Sequence, residues 1–225
     1  MNVTLCSSFR NSMGTIGRYF RQAEELQKAL IGRGDTLSLV SGEGDSTDGT
    51  RGLLWALLHP FDATLVDVSH GGPAFGSVVD VQRFKQLAGV WNCIWMHIPT
   101  SADIVIFCES DLIWDADTMI ALIDDLKRVP CVAPFLAELS TAGFFDTWAY
   151  RKDGKHFNKH EPYFDGWPTT ELVPIDSAGS LLVMNAELAR HLTWPEEDIV
   201  VGICNQIYRY GGSVHLDPAC TVTHP

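Results

Sequence analysis

The chain has 225 residues, 46% hydrophobic and 20% charged, a balance that excludes a disordered chain and allows one sizeable core. Lysines and arginines number 16 against 28 aspartates and glutamates, a net charge of −12, which excludes a generic nucleic-acid coat or a basic membrane-surface binder. No apolar run reaches the ~18 residues of a spanning helix, and residues 1–10 lack the charged-then-apolar pattern of a signal peptide. A cytoplasmic protein with no membrane partner is the expectation. The six cysteines form no CxxC pair, so zinc-ribbon and thioredoxin readings fail. Cys6, Cys108, Cys131 and Cys204 lie in apolar stretches and read as small buried hydrophobes.

Residues 3–7 form a first apolar strand. Ile16, Tyr19, Phe20, Ala23, Leu26 and Leu30 then recur at helical spacing, and Gly32 and Gly34 end the helix. Strand 36–41, helix 51–58, strand 63–68, helix 78–97, strand 104–108, helix 117–126 and strand 132–135 follow in alternation. This rhythm predicts an α/β fold with a doubly wound, mostly parallel, Rossmann-like sheet. Residues 138–177 lose periodicity and are rich in aromatics, glycine, proline and histidine, as expected of a long binding loop or lid. Order returns with strand 180–184, a helix near 199–210 and a last strand near 214–216. One domain is expected, with residues 1–137 as a ligand-binding half and 138–225 as a second half.

The buried strand IVIFC ends in two acids, Glu109 and Asp111, flanking Ser110. Ligands of open α/β sheets bind outside the carboxyl ends of the strands. Two carboxylates there repel each other, by about 4 kcal/mol at 4 Å with an effective dielectric near 20. A divalent ion such as Mg²⁺ or Mn²⁺ reverses that sign and bridges carboxylates to a diphosphate. The bland alternative is helix capping, which Asp115 and Asp117 supply better. A second acidic turn, residues 43–48, follows strand two, where Glu43 is placed to accept hydrogen bonds from a base or ribose, and Gly42, Gly44 and Gly49 allow close approach.

With these motifs the chain resembles glycosyltransferases of the GT-A fold. EGDSTDGT (43–50) resembles the DDGSTDGT turn of family-2 glycosyltransferases, and ESD (109–111) is similar to the DXD metal signature, with glutamate first. A more specific resemblance is to the mannan-polymerase type mannosyltransferases of fungi. It runs through SSFRN (7–11), Arg83, IVIFCESDLIWDADTMIALIDDL (104–126), FDTWAYRKDG (145–154), IDSAGSLLVMNAEL (175–188) and VTH (222–224). Trp91 departs from that family, which tends to have arginine there. The resemblance implies a nucleotide-sugar donor, UDP-sugar favoured and GDP-mannose the alternative, with Mn²⁺ or Mg²⁺. Ser7, Ser8, Arg10, Glu43, Arg83 and Ser110 would line the nucleotide-sugar pocket, and Glu109, Asp111 and His224 would hold the metal.

An inverting transfer needs a base. The EED run places Glu197 and Asp198 there, with Asp176 facing the sugar or acceptor. The mannan-polymerase resemblance points instead to retention, and both stereochemistries stay open. The aromatics Phe144, Phe145, Trp148, Tyr150, Phe157, Tyr163, Phe164 and Trp167 offer stacking faces for an acceptor. Arg151, Lys152, Lys155 and Lys159, with His156 and His160, form the one basic cluster. Trp148, Arg151 and Lys155 are the acceptor-binding candidates. The chain also resembles TET-associated glycosyltransferases of phages, which implies 5-hydroxymethylcytosine in phage DNA as acceptor, its base flipped or otherwise accessible. A glycan or small-molecule acceptor is the alternative. A non-catalytic sugar-nucleotide or glycan-binding module is the alternative of another class.

Overall fold

The computed structural model describes residues 1–76, 80–141 and 143–225. Its first half alternates β1 (Asn2–Phe9), α1 (Ile16–Gly32), β2 (Thr36–Glu43), α2 (Thr50–Leu58), β3 (Asp62–Asp67), α3 (Val81–Trp95), β4 (Ile104–Cys108), α4 (Ala116–Asp125) and β5 (Cys131–Glu138). Its second half holds the hairpin β6 (Arg151–Lys152) and β7 (Lys155–His156), then β8 (Val173–Ile175), β9 (Leu181–Asn185), α5 (Ala186–Ala189), α6 (Ile199–Arg209) and β10 (Val214–His224). The helix expected from residue 78 begins at Val81, where the Asp80 carboxylate caps the Gln82 and Arg83 amides; the expected start lies outside the described residues.

The elements follow from their side chains. α1 buries the six apolar residues of the predicted stripe. Every residue of β4 is at most 4% exposed, as a strand covered on both faces requires. Cys6, Cys108, Cys131 and Cys204 are buried and free, as expected, and Cys220 joins them.

The main sheet runs β3-β2-β1-β4-β9-β5-β10-β8. β3, β2, β1 and β4 are mutually parallel, as predicted. β9 is antiparallel to both β4 and β5, and β8 is antiparallel to β10. Among the described residues no helix lies between β5 and β9 to carry the chain back for a parallel return, so the segment re-enters the sheet at the carboxyl edge. Leu181 therefore pairs with Cys108, and Ser180 arrives beside the end of β4, its carbonyl accepting the Glu109 N–H at 2.9 Å.

β10 is far longer than the predicted 214–216. Pro218 cannot donate to a ladder, which makes the sequence read as a strand end. The chain instead shifts register between Asp217 and Thr221 and continues parallel to β5, with His224 opposite Glu138. That continuation carries His224 to the same sheet edge as Glu109 and Asp111.

The aromatic segment is not the open lid that its composition suggests. Phe144, Tyr150, Phe157 and Tyr163 are at most 7% exposed. Phe144 packs 4.9 Å from Tyr150 and 5.0 Å from Phe157, and Phe135 of β5 sits 4.8 Å from Tyr163. Each buried ring contributes roughly 1.5–3 kcal/mol, enough to fix a stretch with little strand pairing. These rings form a core on β5 and offer no faces to an acceptor.

Candidate active site

Two contiguous clefts open at the carboxyl ends of β1, β2 and β4. The larger, about 800 Å³, is lined by Glu109, Ser110, Asp111, Phe145, Asp146, Trp148, Ser180 and His224 among others. The smaller, about 350 Å³, is lined by Gly44, Val68, His70, Pro73, Phe75 and Gln86 among others. Ser8, Arg10, Asn11, Phe75, Arg83 and Leu87 line both.

The acidic turn after β4 is pinned on two sides. Arg18 of α1 donates to the Asp111 carbonyl, and Gln22, one turn on, donates to the Leu112 carbonyl at 3.2 Å. Ile113 and Thr223 exchange backbone hydrogen bonds at 2.8 and 2.9 Å, which ties the turn to the end of β10. His224 Nε2 then lies 3.5 Å from Asp111 Oδ2, and the His224 ring lies flat on Phe145, centroids 3.7 Å apart and 8° from parallel. One donor atom each from Glu109, Asp111 and His224 falls within 4.8 Å of the others. Burial, then the Asp111 and Asp146 carboxylates, push the Glu109 carboxyl up to about 7. Converging carboxylates with a costly charge and an imidazole beside them suit a divalent ion. The three residues expected to hold Mn²⁺ or Mg²⁺ are thus brought together. Such an ion, when bound, would supply positive charge to the oxygens of a diphosphate.

Other expected residues are placed differently. Ser8, Arg10, Arg83 and Ser110 line the clefts. The Arg10 guanidinium donates to the carbonyls of Gly72 at 2.8 Å and Pro73 at 3.2 Å, so it clasps the loop that walls the smaller cleft. Ser7 is fully buried and joins strands: its hydroxyl donates to the Cys108 carbonyl and accepts from Tyr19, both at 2.7 Å. Glu43, 1% exposed, does not line either cleft; it pairs with Arg51 at 3.0 Å and accepts from the Ser46 amide. The neighbour that reaches the smaller cleft is Gly44, where a Cβ would stand 2.6 Å from the Val68–Ser69 backbone, so only glycine fits.

Asp176 is exposed and accepts the Gly154 amide at 2.7 Å, holding the β6–β7 turn. Glu197 is exposed. Asp198 occupies the N-cap position of α6 without capping it, just ahead of the cleft residues Ile199 and Val200. Trp148 lines the cleft, stacked on Phe84 at 5.6 Å, with the Arg151 guanidinium over its ring. Lys155 is exposed outside the clefts and faces Asp165 at 3.7 Å. Lys152 faces Asp153 and Lys159 faces Glu138, so the basic cluster is largely matched by acids.

Sequence reasoning passed over Asp146, Phe84 and Ser180. Asp146 carried a signal, since it lies in the FDTWAY stretch, but nothing there marks an acid as facing the cleft. Burial raises its carboxyl above the ordinary aspartate range. Trp91 packs 4.5 Å from Phe107 and 5.4 Å from Trp194, an apolar floor where the similar family tends to carry a charge.

No protein-family model matches the chain, and no curated protein matches it. Among solved structures it is similar to S. aureus TarS residues 1–349 in complex with UDP-GlcNAc, with a TM-score of 0.61 and 13% identity over 96% of this chain and 56% of that one. It is likewise similar to S. aureus TarS, with a TM-score of 0.61 and 12% identity over 99% of this chain and 36% of that one. TarS 1–349 in complex with UDP gives a TM-score of 0.54 at 13% identity, over 96% of this chain and 57% of that one. The chain thus spans little more than half of the shorter of these proteins. What the likeness establishes is architecture: this chain has the mixed α/β fold of GT-A glycosyltransferases.

Proposed function

We propose that the protein is a metal-dependent glycosyltransferase that moves a sugar from a UDP-sugar to an acceptor hydroxyl. The observation that carries this reading is the convergence of Glu109, Asp111 and His224 at the floor of a cleft continuous with a second cleft behind Ser8 and Gly44. The smaller cleft suits a nucleoside, the acid–histidine triad a metal-bound diphosphate, and the larger cleft a sugar and its acceptor. The UDP and UDP-GlcNAc complexes of TarS, on the same fold, support uridine as the base. The non-catalytic alternative has no use for a metal triad.

The chain's own residues do the rest by positioning. Arg18 and Gln22 hold the acidic turn, and the Arg10 clasp shapes the loop over the nucleoside cleft. Phe107, Trp91 and Phe84 exclude water from one wall. Asp198 is the base candidate nearest the cleft if the reaction inverts the anomeric centre.

For the acceptor we favour a glycan or small-molecule hydroxyl over 5-hydroxymethylcytosine in DNA. The reason is charge: the lysines of the basic cluster face acids, and the cleft itself carries three carboxylates, which a phosphate backbone would meet as repulsion. The test is incubation with UDP-GlcNAc or UDP-glucose and Mn²⁺ beside an oligosaccharide panel and 5-hydroxymethylcytosine duplex DNA, with products read by mass spectrometry. Sugar on an oligosaccharide fits the reading. Sugar on the DNA alone reverses the acceptor assignment and keeps the enzyme class.

A further inference from the structure

Among the described residues lining the larger cleft, Asp146 is the one carboxylate outside the metal triad. Its geometry is built rather than incidental. Oδ1 accepts the Ala149 N–H at 2.9 Å and so is fixed by its own turn. Oδ2 lies over the backbone of Gly179, where an added Cβ would stand 2.5 Å from it and 2.7 Å from the Ala149 Cβ. Only a residue without a side chain leaves room for the carboxylate. Ser180, next in the chain, lines the same cleft as Asp146 and Glu109, and its carbonyl accepts the Glu109 N–H at 2.9 Å. Ser180 holds a left-handed backbone, φ 59°, which non-glycine residues rarely adopt. That conformation sits where β9 enters the sheet antiparallel to β4.

A diphosphate held at Glu109, Asp111 and His224 would carry its sugar one oxygen beyond the outer phosphorus, into the larger cleft that Asp146 also lines. The surrounding wall is apolar, with Phe84, Phe145 and Trp148. A single carboxylate in an apolar wall is the arrangement that fixes the orientation of a polyol.

We propose that Asp146 binds the sugar of the donor, its Oδ2 accepting from a ring hydroxyl, with Gly179 as the residue that positions it. This rests on the UDP-sugar reading above, and the experiment separates the two. Dissociation constants are measured by calorimetry with Mn²⁺ for UDP, UDP-GlcNAc and UDP-glucose, and for the 3-, 4- and 6-deoxy analogues of whichever sugar donor binds tighter. Wild type, Asp146→Ala and Asp146→Asn are compared. UDP binds all three proteins alike, which also reports an intact fold and metal site. The sugar donor weakens about tenfold or more in Asp146→Ala, as for a lost hydrogen bond to a charged group. One deoxy analogue binds wild type as weakly as the parent donor binds Asp146→Ala, and the variant does not distinguish the two. An unchanged donor constant in Asp146→Ala, or loss of UDP binding along with it, overturns the assignment. Wild-type protein that binds neither UDP nor UDP-sugars overturns the donor reading itself, and this inference with it.

Discussion

Replacing Gly179 with alanine perturbs the seat of Asp146 without touching the acid. The new methyl group would meet Asp146 Oδ2 at 2.5 Å and the Ala149 Cβ at 2.7 Å, with Val200 at 3.5 Å behind. Ordinary contact begins near 3.5 Å, so two neighbours must retreat by about 1 Å. Ala149 is 1% exposed, and Asp146 is held by the Ala149 amide, so neither yields freely. Overpacking of this kind costs about 1–3 kcal/mol. In a chain of 225 residues that lowers the melting temperature by roughly 4–8 °C at 2 kcal/mol. Gly89 is the matched control: it is exposed within α3 and has open space around it. Gly89→Ala should raise stability by up to about 1 kcal/mol through helix propensity. Thermal and urea unfolding of both variants give the stabilities, and calorimetry with UDP and UDP-GlcNAc gives the functional effect. Gly179→Ala should keep UDP binding and weaken the sugar donor. A Gly179→Ala protein as stable as wild type with an unchanged donor constant would refute the packing argument and the seat.

Three further outcomes follow from the same structure. Glu109, pushed up to about 7, must release its proton to serve as a metal ligand, so Mn²⁺ affinity followed by electron paramagnetic resonance falls about tenfold per pH unit below 7; affinity flat from pH 5.5 to 7.5 contradicts it. Burial and the neighbouring Asp217 carboxylate push Asp125 up to about 6 from 3.8. Its contribution to stability is then full below pH 4 and lost as pH rises through 6. Asp125→Asn should remove that slope and unfold at higher urea than wild type at pH 7.5, whereas identical slopes in the two proteins would refute the coupling. Arg18→Met frees the Asp111 carbonyl and should weaken Mn²⁺ severalfold while UDP-independent features such as the far-ultraviolet spectrum stay unchanged; undiminished Mn²⁺ binding would remove Arg18 from the account.

Much of the fold was legible because its first half obeys simple periodicities. The α1 stripe, the doubly buried β4 and the acids that follow it are local patterns, and the site edge follows from parallel topology. The second half was less legible for physical reasons. Ser180 meets Glu109 only because β9 runs antiparallel, and nothing local to SLLVM states its direction. Pro218 hid the continuation of β10, although His224 itself was expected at the metal. Glu43 and Asp176 were read as ligand contacts, yet each satisfies a neighbour of its own: an Arg51 pair in one case and a turn amide in the other. Aromatic richness in residues 144–167 has the same composition whether the rings face a ligand or each other. Asp146 was missed because its role depends on a glycine more than thirty positions away in the chain.

The most direct test of the account is Mn²⁺-dependent release of UDP from UDP-GlcNAc and UDP-glucose in the presence of the oligosaccharide panel, for wild type and Asp111→Ala. Release by wild type that stops on chelation and is lost in Asp111→Ala is the predicted result. UDP release that persists equally in Asp111→Ala, or undiminished after the metal is stripped, would contradict a metal-held diphosphate at the end of β4.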